Sequence, residues 1–439
     1  MEWIGVVGIV VSLAFFIVAA LRGYSVLVSA PIAAIIMIVT NGMDVTQYLL
    51  TDTSSSFMAG MGNFIFQNGL LFILSSIIGK FIDISGAAVT ISQKIMKLTG
   101  ENNPLFIMLG IAVVGMVLTF GGVSLFVVMF ALIPIARPLF KTCNLPWHLF
   151  MAAYSVGATG ITMVLLPGTP SLCLVVATQG CGTTLMAAAG ISIVCAVLIL
   201  VYSVFYLRHA IKKARDKGEV YDCRLPEVET SQDKLPSLGI SLLPLIVLIV
   251  IVIVGSVLAV ANIVLIAMAA AVVVSMVVFR KNVSMSEREG LTEGASDALG
   301  PLVYTSAGVG LGSVAAAAPG FLIIADAINA LPGGALLSAA IMSTALGAVA
   351  GGGMAAASVM VNNFVAPYLA SGVSAELLAK VIAVGACTGG ALPNAGPVFG
   401  MTSAMGLTVR EAYKHIFWLN VLPMIPVLAI LILIGPMFY

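Results

Sequence analysis

Four short clusters of glycine, proline and hydroxyl residues interrupt otherwise apolar runs of this sequence, and any chemistry should be sought there. The first is Gly121-Gly122-Val123-Ser124, and the second is Pro167-Gly168-Thr169-Pro170-Ser171. Gly351-Gly352-Gly353 and Pro393-Asn394-Ala395-Gly396-Pro397 follow in the later half. A helix broken inside a membrane leaves backbone groups unpaired, each costing several kcal/mol in hydrocarbon. Such a break persists only where protein or a watery cavity satisfies those groups. The N-terminus of a half-helix offers N–H donors and partial positive charge to a carboxylate. Unwound carbonyls and a half-helix C-terminus suit a small cation. Pro167, Pro170, Pro393 and Pro397 keep the breaks from closing into continuous helix. The candidate substrate-binding residues are Gly121, Gly122, Ser124, Gly168, Thr169, Ser171, Gly352, Gly353, Ser358, Asn362, Asn363, Asn394 and Gly396. Asn362 and Asn363 have a competing role, tying helices together by hydrogen bonds.

The elements that must carry these clusters follow from composition. The chain has 439 residues, 61% of them hydrophobic and 8% charged, with a mean hydropathy of +1.16. Soluble domains carry about 25% charged residues, so a soluble fold is excluded. Apolar runs recur near the ~20 residues that cross a bilayer as a helix. The alternating pattern of a membrane β-barrel is missing. The fold class is therefore an all-α polytopic membrane protein. A net charge of +1 gives no reason to expect a nucleic-acid partner. The start, Met1-Glu2-Trp3, lacks the basic region of a cleaved signal peptide, so the first run is expected to stay as a span. The six cysteines (Cys143, Cys173, Cys181, Cys195, Cys223, Cys387) have no metal-ligand spacing, and no metal or cofactor is expected.

The apolar runs predict spans over 4–21, 24–40, 64–82, 105–120 with 125–135, 149–166 and 185–207. In the later half they cover 238–257, 263–279, 301–318, 336–350 with 355–367, 377–391 and 416–436. This divides the chain into a membrane repeat over 1–207, a hydrophilic linker over 208–237 and a second repeat over 238–439. The linker carries Arg208, Lys212, Lys213, Arg215, Lys217, Arg224 and Lys234, and reads as a solvated cytoplasmic segment. With the linker inside and both termini outside, only Lys380 of the 19 Lys and Arg residues lies outside. The halves then start on opposite sides of the membrane, which makes them inverted repeats. Asp83 and Asp326 follow corresponding spans and read either as helix-end groups or as coupling sites. His148 and His415 read as interfacial, and no ionisable group stands out within the membrane to serve as a proton relay.

Gly79-Lys80-Phe81-Ile82-Asp83-Ile84-Ser85-Gly86-Ala87, Gly121-Gly122-Val123 and Leu132-Ile133-Pro134 resemble the gluconate:proton symporter (gluconate permease) family. The likeness extends to Thr408-Val409-Arg410-Glu411-Ala412 before the last span. The resemblance implies a divergent member of the ion-transporter superfamily, a secondary transporter with inverted repeats, re-entrant hairpins and an elevator-type motion in a homodimer. The chain also departs from that pattern. An acid common after the first break and a His at the second are replaced, in Gly122-Val123-Ser124 and Pro167-Gly168-Thr169-Pro170. At the third break a Gln-Gly-Ser-like motif becomes Gly351-Gly352-Gly353-Met354. At the fourth, a His-x-Asn-Asp-Ser-Gly motif becomes Leu392-Pro393-Asn394-Ala395-Gly396, keeping the Asn but losing the His and Asp. Each change removes hydrogen-bonding or titratable groups, which disfavours a polyhydroxylated sugar acid.

The expected function is that of a symporter importing a small organic anion, such as 3-hydroxybutyrate or another short hydroxy acid, through the cell (inner) membrane. Proton coupling follows from the resemblance, and sodium held by broken-helix carbonyls fits the missing acids. The alternatives are a gluconate-type permease and a channel, although no charged pore ring or filter repeat is present. An enzyme would need a catalytic set such as paired aspartates or a His-Glu-x-x-His zinc motif, and none stands at a suitable depth.

Overall fold

The computed structural model describes residues 2–51, 55–99, 103–120, 125–169, 171–226, 235–257, 262–283, 285–329 and 334–439. Gly121, Gly122, Ser124 and Pro170 lie outside the described residues, as do the side chains of Asn363 and Asp326. Among the described residues every regular element is helical. Hydrocarbon admits few other choices, because a helix satisfies its backbone internally.

The first half runs α1 (Glu2–Leu21), α2 (Val26–Thr40), α3 (Val45–Leu50), α4 (Phe57–Ile84), α5 (Ala87–Thr99), α6 (Pro104–Phe120), α7 (Leu125–Thr142), α8 (His148–Ala158), α9 (Leu172–Gly180) and α10 (Ala189–Asp216). A π-helical turn, Ile161–Leu165, extends α8 toward the second break. The later half runs α11 (Leu238–Val257), α12 (Ile263–Phe279), α13 (Glu287–Asp297), α14 (Leu299–Ala317), α15 (Pro319–Asn329), α16 (Ala335–Ala350), α17 (Gly353–Asn363), α18 (Val365–Ala370), α19 (Ala375–Gly389), α20 (Gly396–Ala404), α21 (Val409–Ile416) and α22 (Met424–Leu433). A second π-helical turn, Phe417–Val421, joins the last two. Among the described residues seven helical stretches are long and apolar enough to cross a membrane, with shorter apolar helices between them. This is a multi-pass membrane protein. The lipid-facing surface is recognisable on α10, where Val194, Val197, Leu198, Val201 and Phe205 are apolar and exposed.

Several expectations need correction. The third span starts at Phe57 rather than residue 64, because the Ser56 hydroxyl caps it by accepting from the Ala59 amide at 3.1 Å. Asp326 falls within α15. Asp83 sits in the last turn of α4, where its carboxylate takes Arg137 Nη1 of α7 at 2.9 Å. On the same helix Lys80 pairs with Glu293 of α13 at 2.6 Å, so both charges serve to join helices.

The described part of the linker is docked instead of freely solvated. Asp222 accepts from the amide of fully buried Trp147 at 2.8 Å, and Asn144 accepts from the Tyr221 amide at 3.0 Å. Glu219 takes a 2.9 Å contact from His148 Nε2. Burial works to raise the Glu219 carboxyl, but the hydrogen bond and charge of His148 outweigh it and hold the group below its ordinary value. His415 is buried within the protein, bonded to His148 at 2.9 Å and to Tyr206 at 2.8 Å.

Candidate functional site

The second break is built from the end of α8 onward. Its helix widens into the π-turn, and Pro167 then brings no N–H with which to continue the ladder. Gly168 takes φ +82°, a conformation that favours glycine, and its amide donates to Leu185 O at 3.0 Å. Ser171 restarts helix as the N-cap of α9, accepting from Leu174 N at 3.3 Å while its hydroxyl donates to Met163 O. Between them lies Thr169, fully buried, with an Oγ1 that has no hydrogen-bond partner.

Breaks three and four are built against each other. Gly351, at φ +63°, ends α16, and its carbonyl accepts from Gly396 N at 3.0 Å. The Asn394 amide donates to Ala348 O at 2.5 Å. A Cβ on Gly353 would stand 2.7 Å from Cys387 Sγ, and one on Gly390 would stand 2.5 Å from Gly353 N. Glycines on α14 permit equal closeness from outside, since a Cβ on Gly312 would lie 2.0 Å from Ala350 O. Pro397 starts α20 at a position where its missing N–H costs nothing, and Pro393 lies in the turn before it.

The second, third and fourth breaks meet, and residues flanking the first cluster pack close to the fourth. Cys173, on the first turn of α9, places Sγ 3.5 Å from Gly353 O, joining break two to break three. Break one is flanked by Thr119 and Leu125. Tyr154 of α8 donates its hydroxyl to Leu125 O at 2.7 Å, while Phe126 packs against Gly400 of α20 beyond break four. Thr119 is buried and, like Thr169, Ser155 and Ser192, has a hydroxyl without a partner among the described residues. Beside break three a cavity of about 260 Å³ opens between α14 and α17, lined by Gly312, Ser313, Ala350, Ala355 and Val359. That volume lies just below the ~300–1,000 Å³ of ordinary ligand pockets.

The predicted residues thus divide. Gly168, Thr169, Ser171, Gly352, Gly353, Asn394 and Gly396 are gathered at the breaks. Asn362 lies about 14 Å along α17 from Gly353, at 1.5 Å per residue, and is exposed. Asn363 follows it at the end of the helix, and Ser358 sits half-buried between. Sequence reasoning missed Thr119, which is signalled only by its place just before the first cluster. It also missed Lys380, which lies inside α19 with no exposure and donates Nζ to Val164 O at 3.1 Å.

The family model CitMHS, described as citrate transporter, matches residues 13–288. The chain belongs to this family. The match takes in the first two breaks and the linker and ends before the third break. The uncharacterized transporter YxjC of Bacillus subtilis (strain 168) is similar throughout, 29% identical over 470 residues that cover 96% of this chain and 97% of that protein. A member of the CitMHS family is a transport protein, not an enzyme, and a secondary transporter. The family shown is thus not specifically the gluconate permeases. Their short Gly- and Pro-containing motifs are ones that any transporter with broken helices needs, so they do not select one family.

Proposed function

We propose that this chain imports a small organic carboxylate across the cell membrane by proton symport. The observation that carries this reading is the pair of buried, unpartnered hydroxyls, Thr119 and Thr169, beside the first two breaks. An unpaired buried polar group costs about 1–3 kcal/mol, a cost that a bound ligand's oxygen removes. Half-helix N-termini at α9 and α17 add N–H groups and partial positive charge suited to a carboxylate. Few side chains at the breaks offer hydrogen bonds, which favours a plain acid such as 3-hydroxybutyrate over gluconate. The family's description extends the candidates to citrate, which the same N–H groups would hold through one carboxylate.

The matching order of elements supports two inverted repeats. A broken hairpin (α6–α7, then α16–α17) and a broken helix (α8–α9, then α19–α20) occur in the same sequence in each half. We assign 1–207 and 238–439 to the repeats, with 208–237 cytoplasmic, both termini outside and an elevator-type movement in a homodimer. Reconstitution into proteoliposomes with labelled 3-hydroxybutyrate, citrate and gluconate tests the reading. It expects accumulation of one of the first two under an inward proton gradient. Accumulation of gluconate alone, or dependence on sodium, contradicts it.

A further inference from the structure

Lys380, the one basic residue that charge counting placed outside, is buried within the protein. It lies in the second turn of α19, fully buried, and its Nζ donates to Val164 O at 3.1 Å. Val164 belongs to the π-turn that ends α8 at the second break, so its carbonyl is one that the interrupted ladder leaves over. The neighbouring Met163 O is taken by the Ser171 hydroxyl. The end of a broken helix carries partial negative charge and attracts a cation inside a membrane. Here the cation is covalently attached to the protein.

Among the described residues its surroundings hold no counter-ion. Of the elements packed against α19, α16, α17, α22 and both π-turns carry no titratable side chain, while α9 brings Cys173 and α18 brings Tyr368. Cys195 of α10 is the thiol close enough to interact with the amine. On α19 itself, Cys387 lies two turns further on beside Cys173, and the Glu376 carboxylate one turn earlier accepts from the Ala188 amide at 2.9 Å. An ionisable residue within a membrane is costly and marks an ion path or a relay.

We propose that Lys380 is the coupling group of this transporter. Its ammonium fills the cation position at the second break, and its proton is the ion that moves with the substrate. Beside a bound monocarboxylate the ammonium forms a neutral pair, and after release the amine returns neutral by giving its proton to water. The step is R–NH₂ + H⁺ → R–NH₃⁺ on the side of uptake and its reverse on the other, with no carbon bond changed. A lone ammonium and a lone carboxylate each meet the full desolvation penalty, so neither crosses alone. The inference rests on the reading of the chain as a proton-coupled carboxylate carrier.

The test uses the full chain in proteoliposomes, comparing wild type with Lys380→Arg and Lys380→Gln after size-exclusion shows all three folded. Arginine keeps the charge but does not release its proton, and glutamine keeps a donor for Val164 O without a charge. On a solid-supported membrane without substrate, a pH jump should give a transient charge displacement from wild type and none from either variant. That readout is independent of which carboxylate is carried. With labelled 3-hydroxybutyrate, one-for-one symport of a proton and a monoanion accumulates substrate about tenfold per unit of pH gradient. Net accumulation should be lost in both variants, with exchange at equal pH persisting in Lys380→Arg, which still pairs the carboxylate, and lost in Lys380→Gln, which leaves it alone. Equal transients in wild type and Lys380→Arg, or no transient in wild type, overturn the assignment. So does gradient-driven accumulation by Lys380→Arg. Transients confined to wild type with no uptake of 3-hydroxybutyrate or citrate overturn the substrate class and leave Lys380 in place.

Discussion

Thr169 and Asn394 look equivalent as polar residues at helix breaks, but their surroundings assign them different tasks. The Thr169 hydroxyl is buried and unpartnered, so replacing it with the isosteric valine removes an unsatisfied group. Thr169→Val is expected to leave the melting temperature of the purified protein unchanged or raised. It is also expected to lower carboxylate uptake at least about fivefold, the loss of roughly 1 kcal/mol of binding. A drop in both together would make Thr169 structural. Asn394 spends its amide on Ala348 O across two breaks. Asn394→Ala leaves that carbonyl unpaired, and should cost about 1–3 kcal/mol of stability, read as a lower melting temperature. An unchanged melting temperature with lost uptake would return Asn394 to the role of a ligand.

The broken helices were the most legible elements in the sequence, because proline and clustered glycine act locally. Pro167 and Gly168 end the α8 ladder whatever surrounds them, and Gly351 needs the positive φ it adopts. Where the breaks would meet was not legible. The approach of Gly353 to Cys387, and of Gly390 to Gly353 N, joins residues far apart in the chain and depends on tertiary packing. Gly353→Ala should therefore destabilise the protein by about 1–3 kcal/mol through overpacking, measured by thermal unfolding. Gly372, at φ +84° with no atom within 4 Å of its Cβ position, lacks such an approach to lose. The short helices α3, α5, α13 and α15 escaped the reading because their apolar residues mark one helix face, not a run of spanning length. Lys380 escaped because charge counting assigns a lysine to a side of the membrane and says nothing of depth.

At the scale of the molecule, composition alone required a multi-pass helical membrane protein, and the matched order of elements in the two halves follows the order of the apolar runs. Tyr439 accepts from Gly190 N at 3.0 Å at the start of α10, while the linker leaves from its other end. A 28-residue helix spans about 42 Å, so the C-terminus and the linker lie at opposite ends of it. The family assignment adds transport, and the proposed function places a small acid at the breaks beside the unpaired hydroxyls. The account stands most directly on one measurement: the ratio of internal to external labelled carboxylate in proteoliposomes under an inward proton gradient, with sodium absent. It predicts that 3-hydroxybutyrate or citrate accumulates above its equilibrium ratio and runs out when a protonophore collapses the gradient. Equilibration of these acids without accumulation, or accumulation that only a sodium gradient supports, would contradict it.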